Sequence, residues 1–246
     1  MIDRRVPLFI ACDFVQPACV DLLLTHGANV NVGELKYGQT PLMGAVDYNL
    51  NMNGLTLDHV FDNRCRCMRS LLDAGAAIDQ TDNDGWTALM NATWNFRLTE
   101  ILVKGGANVN MINIRQNSAL HGASADVVQL LLEGGAEIDA VNEDKWTPLH
   151  CACFYLNPAV VESLLCHNAD IDIVGNDGRT AHQVALSQPA FSPNRVALLQ
   201  LMATCAQTRL EASSADWIRL AQNERCRTQM ALGSMGTARQ RRRRQH

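Results

Sequence analysis

Large aromatic side chains are scarce in this chain: 13 Phe, Trp and Tyr among 246 residues. Any core must therefore be built mainly from Leu, Val and Ala, and at 47% apolar content the chain has enough of these to exclude wholesale disorder. No apolar run approaches the roughly 20 residues that a bilayer-spanning helix needs, so no membrane span is expected. A glycine-rich phosphate loop, a nucleophile elbow and a His-Glu-x-x-His zinc pair are all missing. With no such motif, neither enzymatic activity nor a cofactor is expected. Acidic residues are missing beyond Glu224, where Arg239 and Arg241 to Arg244 close the chain. Setting those five arginines aside leaves 16 basic against 25 acidic residues, an acidic body of about −9 carrying a basic tail. The nine cysteines are odd in number and many fall inside apolar patterns, where a thiol acts as a small buried side chain. That usage fits a reducing, intracellular setting, cytoplasmic or nuclear.

What the sequence has in abundance is self-similarity. Four stretches repeat one phrase: TPLMGAV…LLDAGAAID (40–79), TALMNAT…ILVKGGANVN (87–110), SALHGAS…LLLEGGAEID (118–139) and TPLHCAC…LLCHNADID (147–172). Weaker copies lie at 6–31 and 180–206. Anchored on Leu8, Leu42, Leu89, Leu120, Leu149 and His182, the spacings are 34, 47, 31, 29 and 33 residues, and a period in this range means stacked units. Thr40, Thr87, Ser118, Thr147 and Thr180 are suited to cap a short inner helix, with Pro41 and Pro148 in its first turn. Ala45, Ala92, Ala123, Ala152 and Ala185 allow close stacking on the next unit. An outer helix carries the pairs Leu23/Leu24, Leu71/Leu72, Ile101/Leu102, Leu131/Leu132, Leu164/Leu165 and Leu201/Met202. It ends at Gly27, Gly75, Gly106, Gly135 or Asn168, residues that tolerate a left-handed cap; Cys205 holds that place in the last unit, which predicts a different ending. An Asn/Asp-rich link then leads to turn residues Gly38, Gly85 and Gly178, replaced by Gln116 and Lys145 in two units.

The phrase resembles the ankyrin repeat, and the resemblance covers about residues 6–206. It implies an all-α repeat solenoid, a curved, monomeric array of six helix-turn-helix units with short β-hairpin loops, over 1–206. The first unit has no full hairpin ahead of Leu8, as in a degenerate cap or a truncated start. The opening MIDRRVPLFIACDF loosely imitates a signal peptide but aligns with the repeat and reads as folded chain. About 14 extra residues between the helices of the second unit, at 49–67, form an insertion, and shortened third and fourth units predict a clipped inner helix near Ser124 to Asp126. A helical stripe in 214–232 suggests a C-terminal capping helix over 207–232, with a disordered basic tail at 233–246.

Ankyrin arrays hold partners through hairpin tips and variable inner-helix positions. The resemblance therefore implies a noncatalytic scaffold or adaptor for a protein partner, with Gln39, Trp86, Asn117, Trp146 and Arg179 before the caps. On the inner helices it implies Phe14, Tyr48, Trp94, Phe154 and Tyr155, together with Asp13, Asp47 and Asn95. Seven of the 13 aromatics fall in this set, and aromatics are strong interface anchors, although some can equally pack against a neighbouring hairpin. Asp82, Asp84, Asp144 and Asp177 near the tips favour a partner with basic groups beside an apolar anchor. A ubiquitin-ligase receptor is the alternative, through Leu201 and Cys205, but Arg209 breaks the required Leu-x-x-x-Cys-x-x-x-hydrophobic pattern. The arginines of the tail suit nuclear import, weak salt-sensitive attraction to nucleic acid or another polyanion, or a merely solvated face.

No metal is expected. His150, Cys151, Cys153, Cys166 and His167 look like ligands on paper, yet the repeat accounts for them as framework residues, and Cys65-Arg66-Cys67 lacks further partners. Asp82-Asn83-Asp84-Gly85 imitates part of a calcium loop, but Gln80 and Asn91 stand where its first and last acids belong.

Overall fold

A computed structural model describes residues 6–47, 57–188 and 193–211. Two rows of helices make up the fold. The inner row is α1 (Pro7–Asp13), α3 (Pro41–Val46), α5 (Ala88–Ala92), the 3₁₀ helix Ala119–Gly122, α8 (Pro148–Phe154) and α10 (Ala181–Ser187). The outer row is α2 (Pro17–Thr25), α4 (Leu57–Asp73), α6 (Phe96–Lys104), α7 (Ala125–Glu133), α9 (Pro158–Cys166) and α11 (Pro193–Glu211). Each helix packs on its row neighbours and its own partner, which is the stacking expected from the repeat. The segment resembling a signal peptide is α1, with Leu8, Phe9 and Cys12 buried. Between the rows and the next unit, isolated antiparallel bridges Thr81–Thr87, Ile112–Ser118 and Val174–Thr180 close short hairpins.

Four of the five expected caps form. Thr40, Thr87, Thr147 and Thr180 accept hydrogen bonds from the main-chain N–H of Met43, Met90, His150 and Gln183 at 3.2–3.4 Å, satisfying donors that a helix start leaves open. Ser118 instead has its hydroxyl against His121 Nδ1 at 3.0 Å. Leu8, Leu42, Leu89, Leu120 and Leu149 are buried, and so are the five stacking alanines. Burying one such leucine is worth roughly 1.5–3 kcal/mol.

The outer helices show the mechanical basis of the Gly-Ala signal. Gly27, Gly75, Gly106 and Gly135 have φ between 78° and 89°, and Asn168 adopts 66°. The alanine that follows each one donates its N–H to the carbonyl five residues earlier: Leu23, Leu71, Leu102, Leu131 and Leu164. The last four of these are the fully buried members of their pairs. In the third unit the buried residue is the second member of the expected pair Ile101/Leu102, and Ile101 and Val103 on either side of it are both half-buried, because distance from the cap sets which residue faces inward.

Two units are irregular. The extra length of the second unit is partly helical: residues 57–67 belong to α4, which runs for 17 residues where α2, α6, α7 and α9 have nine. Its added turns bury Val60 and Arg64, whose Nη1 donates to the Ala45 carbonyl at 2.9 Å. Burial lowers the Arg64 pKa, and the charges of Asp47 and Asp13 oppose that shift. In the fourth unit the inner helix is shortened to a single 3₁₀ segment before Ser124 caps α7. In the last unit, where Cys205 replaces the cap glycine, α11 runs on to Glu211. The stripe at 214–232 and the tail lie outside the described residues.

At the hairpin tips Gly38, Gly85 and Gly178 have φ of 72–80°, and Gln116 and Lys145 are held in the same left-handed region at 59° and 55°. A side chain there costs on the order of 1 kcal/mol, so the fold imposes the turn on these two units. Gln116→Gly and Lys145→Gly should each raise stability by about 0.5–1 kcal/mol in urea unfolding; a loss of stability would show that the turn is not strained.

Candidate functional site

Each hairpin is closed by a main-chain bond across a four-residue reach. Asp82, Asn113, Asn142 and Gly175 donate to the carbonyls of Trp86, Asn117, Trp146 and Arg179 at 3.0–3.1 Å. The first hairpin is one residue longer, with Glu34 donating to Gln39 at 2.8 Å. Oδ1 of Asp82 accepts from Asp84 and Trp86, and Asn113 and Asn142 repeat that arrangement. The acid-rich stretch that imitates a calcium loop is therefore a turn whose first carboxylate already serves the backbone.

The tips are joined to one another. Asn83 donates to the Tyr37 carbonyl, Ile114 to Asp84, Glu143 to Arg115 and Asn176 to Asp144, all at 2.9–3.0 Å. His121 and His150 extend this linkage from inside. Nδ1 of each accepts from the cap N–H of Ser118 or Thr147. Nε2 then carries the proton and meets the carbonyl of Trp146 or Arg179 in the next hairpin at 3.1 and 3.2 Å. Burial is the main influence on both imidazoles and lowers their pKa; the bonds to those carbonyls oppose it.

On this frame the exposed aromatics fall into two groups. Trp86 and Gln39 line an open groove of about 290 Å³ between the hairpins of the second and third units, with Tyr37, Asp82, Asp84 and Asn91. Further along, the Trp146 ring lies 5.3 Å from Phe154, which meets Tyr155 edge-on at 5.2 Å. On its other side the Trp146 ring lies against Gly175, where an added Cβ would come within 2.8 Å of Cδ1. Tyr155 remains 76% exposed and Phe154 42%, so this cluster presents a contiguous aromatic surface.

The remaining expected contact residues scatter. Phe14 is partly exposed near the N-terminal end of the array. Trp94 is half-buried against the core and packs at 5.8 Å on Phe61 of α4, so the longer outer helix has drawn it into the framework. Asp13 is buried and Asn95 caps α6 by accepting from Leu98, so neither offers the open side chain expected of it. Asn117 accepts from the Asn142 amide, tying two hairpins together. Arg179 pairs with Asp177 at 2.7 Å; its main-chain N–H and then its guanidinium hold the Asp177 carboxyl below the usual range. Tyr48 and Arg239, Arg241, Arg242, Arg243 and Arg244 lie outside the described residues. Sequence reasoning missed Tyr37, which only the longer first hairpin could have signalled, and Phe61, hidden in the insertion.

The residues imitating a metal site have other partners. His150 is in the cap linkage, His167 bonds the Ser163 carbonyl at 2.8 Å, and burial pushes the Cys151 and Cys153 thiols up to about 11 and 12. Among the described residues no three His, Cys, Asp or Glu gather as metal ligands, and no helix is long and apolar enough to cross a membrane. Leu201 and Cys205 lie within α11, so their spacing is that of a repeat helix.

Comparison with known proteins agrees with this geometry. The family model for ankyrin repeats in three copies matches residues 57–142 and 116–207, and that for a single ankyrin repeat matches 3–34. The chain belongs to the ankyrin-repeat family. It is 30% identical to inversin of Homo sapiens over 154 residues, which is 59% of this chain and 13% of inversin. It is 33% identical over 147 residues to the B-cell lymphoma 3 protein homolog of Mus musculus, covering 49% of this chain and 33% of that protein. The chain thus spans only a small part of the curated relatives it matches. Among solved structures, the human ASB11 ankyrin repeat domain superposes with a TM-score of 0.66 at 24% identity, over 82% of this chain and 84% of that one. The ankyrin fold is a protein-interaction fold that is typically noncatalytic.

The buried histidines predict a pH-dependent stability for this ankyrin array. Their folded pKa lies below that of an unfolded histidine, about 6.5. Below that value the unfolded chain therefore binds more protons, so the histidine contribution is complete above pH 6.5 and is lost as pH falls. Gln183, in the equivalent place of the last unit, accepts from Thr180 without titrating. His121→Gln with His150→Gln should cost about 1–2 kcal/mol at pH 7.5 but flatten the decline between pH 7 and 5 in urea unfolding.

Proposed function

We propose that this chain is a noncatalytic scaffold or adaptor that grips a protein partner on the face formed by hairpins and inner helices. The observation that carries this reading is the Trp146–Phe154–Tyr155 cluster, whose rings contact one another and yet leave Tyr155 largely in solvent. An apolar surface of this kind, fixed by a rigid frame, supplies large contact area with little side-chain entropy to lose. The open part of this cluster is Phe154 and Tyr155; Trp146 anchors it to the frame, stacked on His150 at 6.2 Å and close against Gly175, and Trp94 is packed away against Phe61. Asp144, exposed at the tip of the same hairpin, favours a partner that sets basic groups around an apolar anchor. The free thiols among the described cysteines suit the same intracellular role.

The test compares proximity labelling and pull-down from cells for the wild type and Phe154→Ala/Tyr155→Ala. Both residues lie at the end of α8 and are partly or largely exposed, so helical signal and melting temperature should change little. A partner held through this cluster should lose on the order of 2 kcal/mol or more, about thirtyfold in affinity. Identical partner recovery by a folded double variant would exclude this face.

A further inference from the structure

The groove between the second and third hairpins has a different chemistry from the aromatic cluster. Its walls are Tyr37, 50% exposed, and Trp86, 38% exposed, and it is lined by Asp82 and Asp84. Two other tip carboxylates have cations close by: Asp177 pairs with Arg179, and Glu143 faces Arg115 at 3.9 Å. Among the described residues no cation stands within ion-pair distance of Asp82 or Asp84, and Lys36 Nζ lies over the Tyr37 ring at 4.4 Å. Two carboxylates beside the Trp86 ring match a guanidinium, which stacks on a ring while its edge donates to oxygens.

We propose that the occupant of this groove is the chain's own arginine run, Arg239 and Arg241 to Arg244, bound in cis, so that the tail competes with any basic partner for the site. Charge favours it: the run opposes a body of about −9. Reach favours it as well. The groove lies four units from α11, a span of roughly 30–40 Å at 8–10 Å per packed helix. The 27 residues between Glu211 and Arg239 have a root-mean-square reach of about 30 Å as a coil. A tether matched to its span gives the highest effective concentration, on the order of 1 mM. The proposal concerns a different surface from the Phe154–Tyr155 cluster and does not depend on it.

The experiment uses the full chain and a fluorescent synthetic peptide of residues 236–246. If the tail occupies the groove, the wild type binds the peptide weakly. A variant with all five arginines replaced by Gln should bind it about tenfold more tightly, as expected for a 1 mM tether competing with a peptide of roughly 100 µM affinity. Adding Asp82→Asn and Asp84→Asn to that variant should abolish the gain. Asn113 and Asn142 already fill the Asp82 place in other hairpins, so the turn is kept, and circular dichroism checks the fold. Raising salt to about 0.5 M should weaken the peptide complex. Equal peptide binding by the wild type and the arginine-free variant overturns the proposal, as does binding that survives both aspartate changes. Self-association of the wild type through the tail in sedimentation assigns the groove to a second copy and overturns binding in cis. Peptide binding that vanishes on nuclease treatment assigns the tail to nucleic acid and overturns it too.

Discussion

No unit of this array completes its own hydrogen bonding, and the rest of the structure follows from that constraint. On the side where outer helices end, Asn31 Oδ1 accepts from Ala77 N–H, Asp79 from Asn108, Asn110 from Glu137 and Asp139 from Asp170, at 2.7–3.0 Å. At the opposite end of each unit the hairpin tips exchange one main-chain bond per neighbour. Between these two series lie the leucines four residues before each cap, which only a neighbouring unit can cover. Both polar series and the apolar layer therefore repeat with the same register. A unit taken alone would leave these donors to water and forgo the net gain of about 0.5–1.5 kcal/mol that each such bond contributes. Folding is cooperative along the array because polar satisfaction and apolar burial are obtained in the same step.

The longer helix α4 shows what happens when one unit departs from that register. Its cap at Gly75 and the Ala76–Leu71 bond are those of the first, third, fourth and fifth units, so the added turns extend from the N-terminal end only. There they need cover of their own. Arg64 reaches the Ala45 carbonyl and Phe61 packs on Trp94, while in the part shared with the other outer helices Arg66 and Ser70 bond the Asp21 carboxylate at 2.6 and 2.7 Å. The extension thus draws α3 and the third unit toward itself. Removing a nearly exposed ion pair such as Arg97–Asp62 from this region should matter little; removing Arg64, whose guanidinium is enclosed, should matter a great deal.

Most of this framework was legible in the sequence because each part rests on a local rule. Threonine before a short apolar run, glycine after paired leucines and alanine at the stacking position have one mechanical meaning wherever they recur. The departures had other causes. Ile101/Leu102 holds the buried leucine second where Leu71, Leu131 and Leu164 come first in their pairs, because pairs of aliphatics do not mark register, whereas distance from the left-handed cap does. Lys145 and Gln116 hid a glycine-like turn, since conformation there is imposed by the two neighbouring hairpins. The insertion at 49–67 read as lying between the helices because its helical half contains Arg64, Arg66 and Asp62, whose charges are absorbed by tertiary partners invisible to periodicity.

The same distinction separates the two groups of aromatics. Sequence alone placed Trp94 and Trp146 at comparable variable positions, yet one is packed by an inserted helix and the other stands beside open rings. What decides between them is whether another element has a use for the side chain. Trp146 is fixed by close approach to Gly175 and by Phe154, and its own carbonyl receives His121. Its backbone and ring are thereby committed to the frame, while Phe154 and Tyr155 beside it stay open to solvent. A position whose main chain is bound into the repeat and whose side chain is left over is free to vary without cost to the fold. Recognition in a repeat array can be altered one residue at a time for this reason. Tyr37 and Trp86 meet the same condition at the second and third hairpins, and the acids beside them give that surface a chemistry that Phe154 and Tyr155 lack.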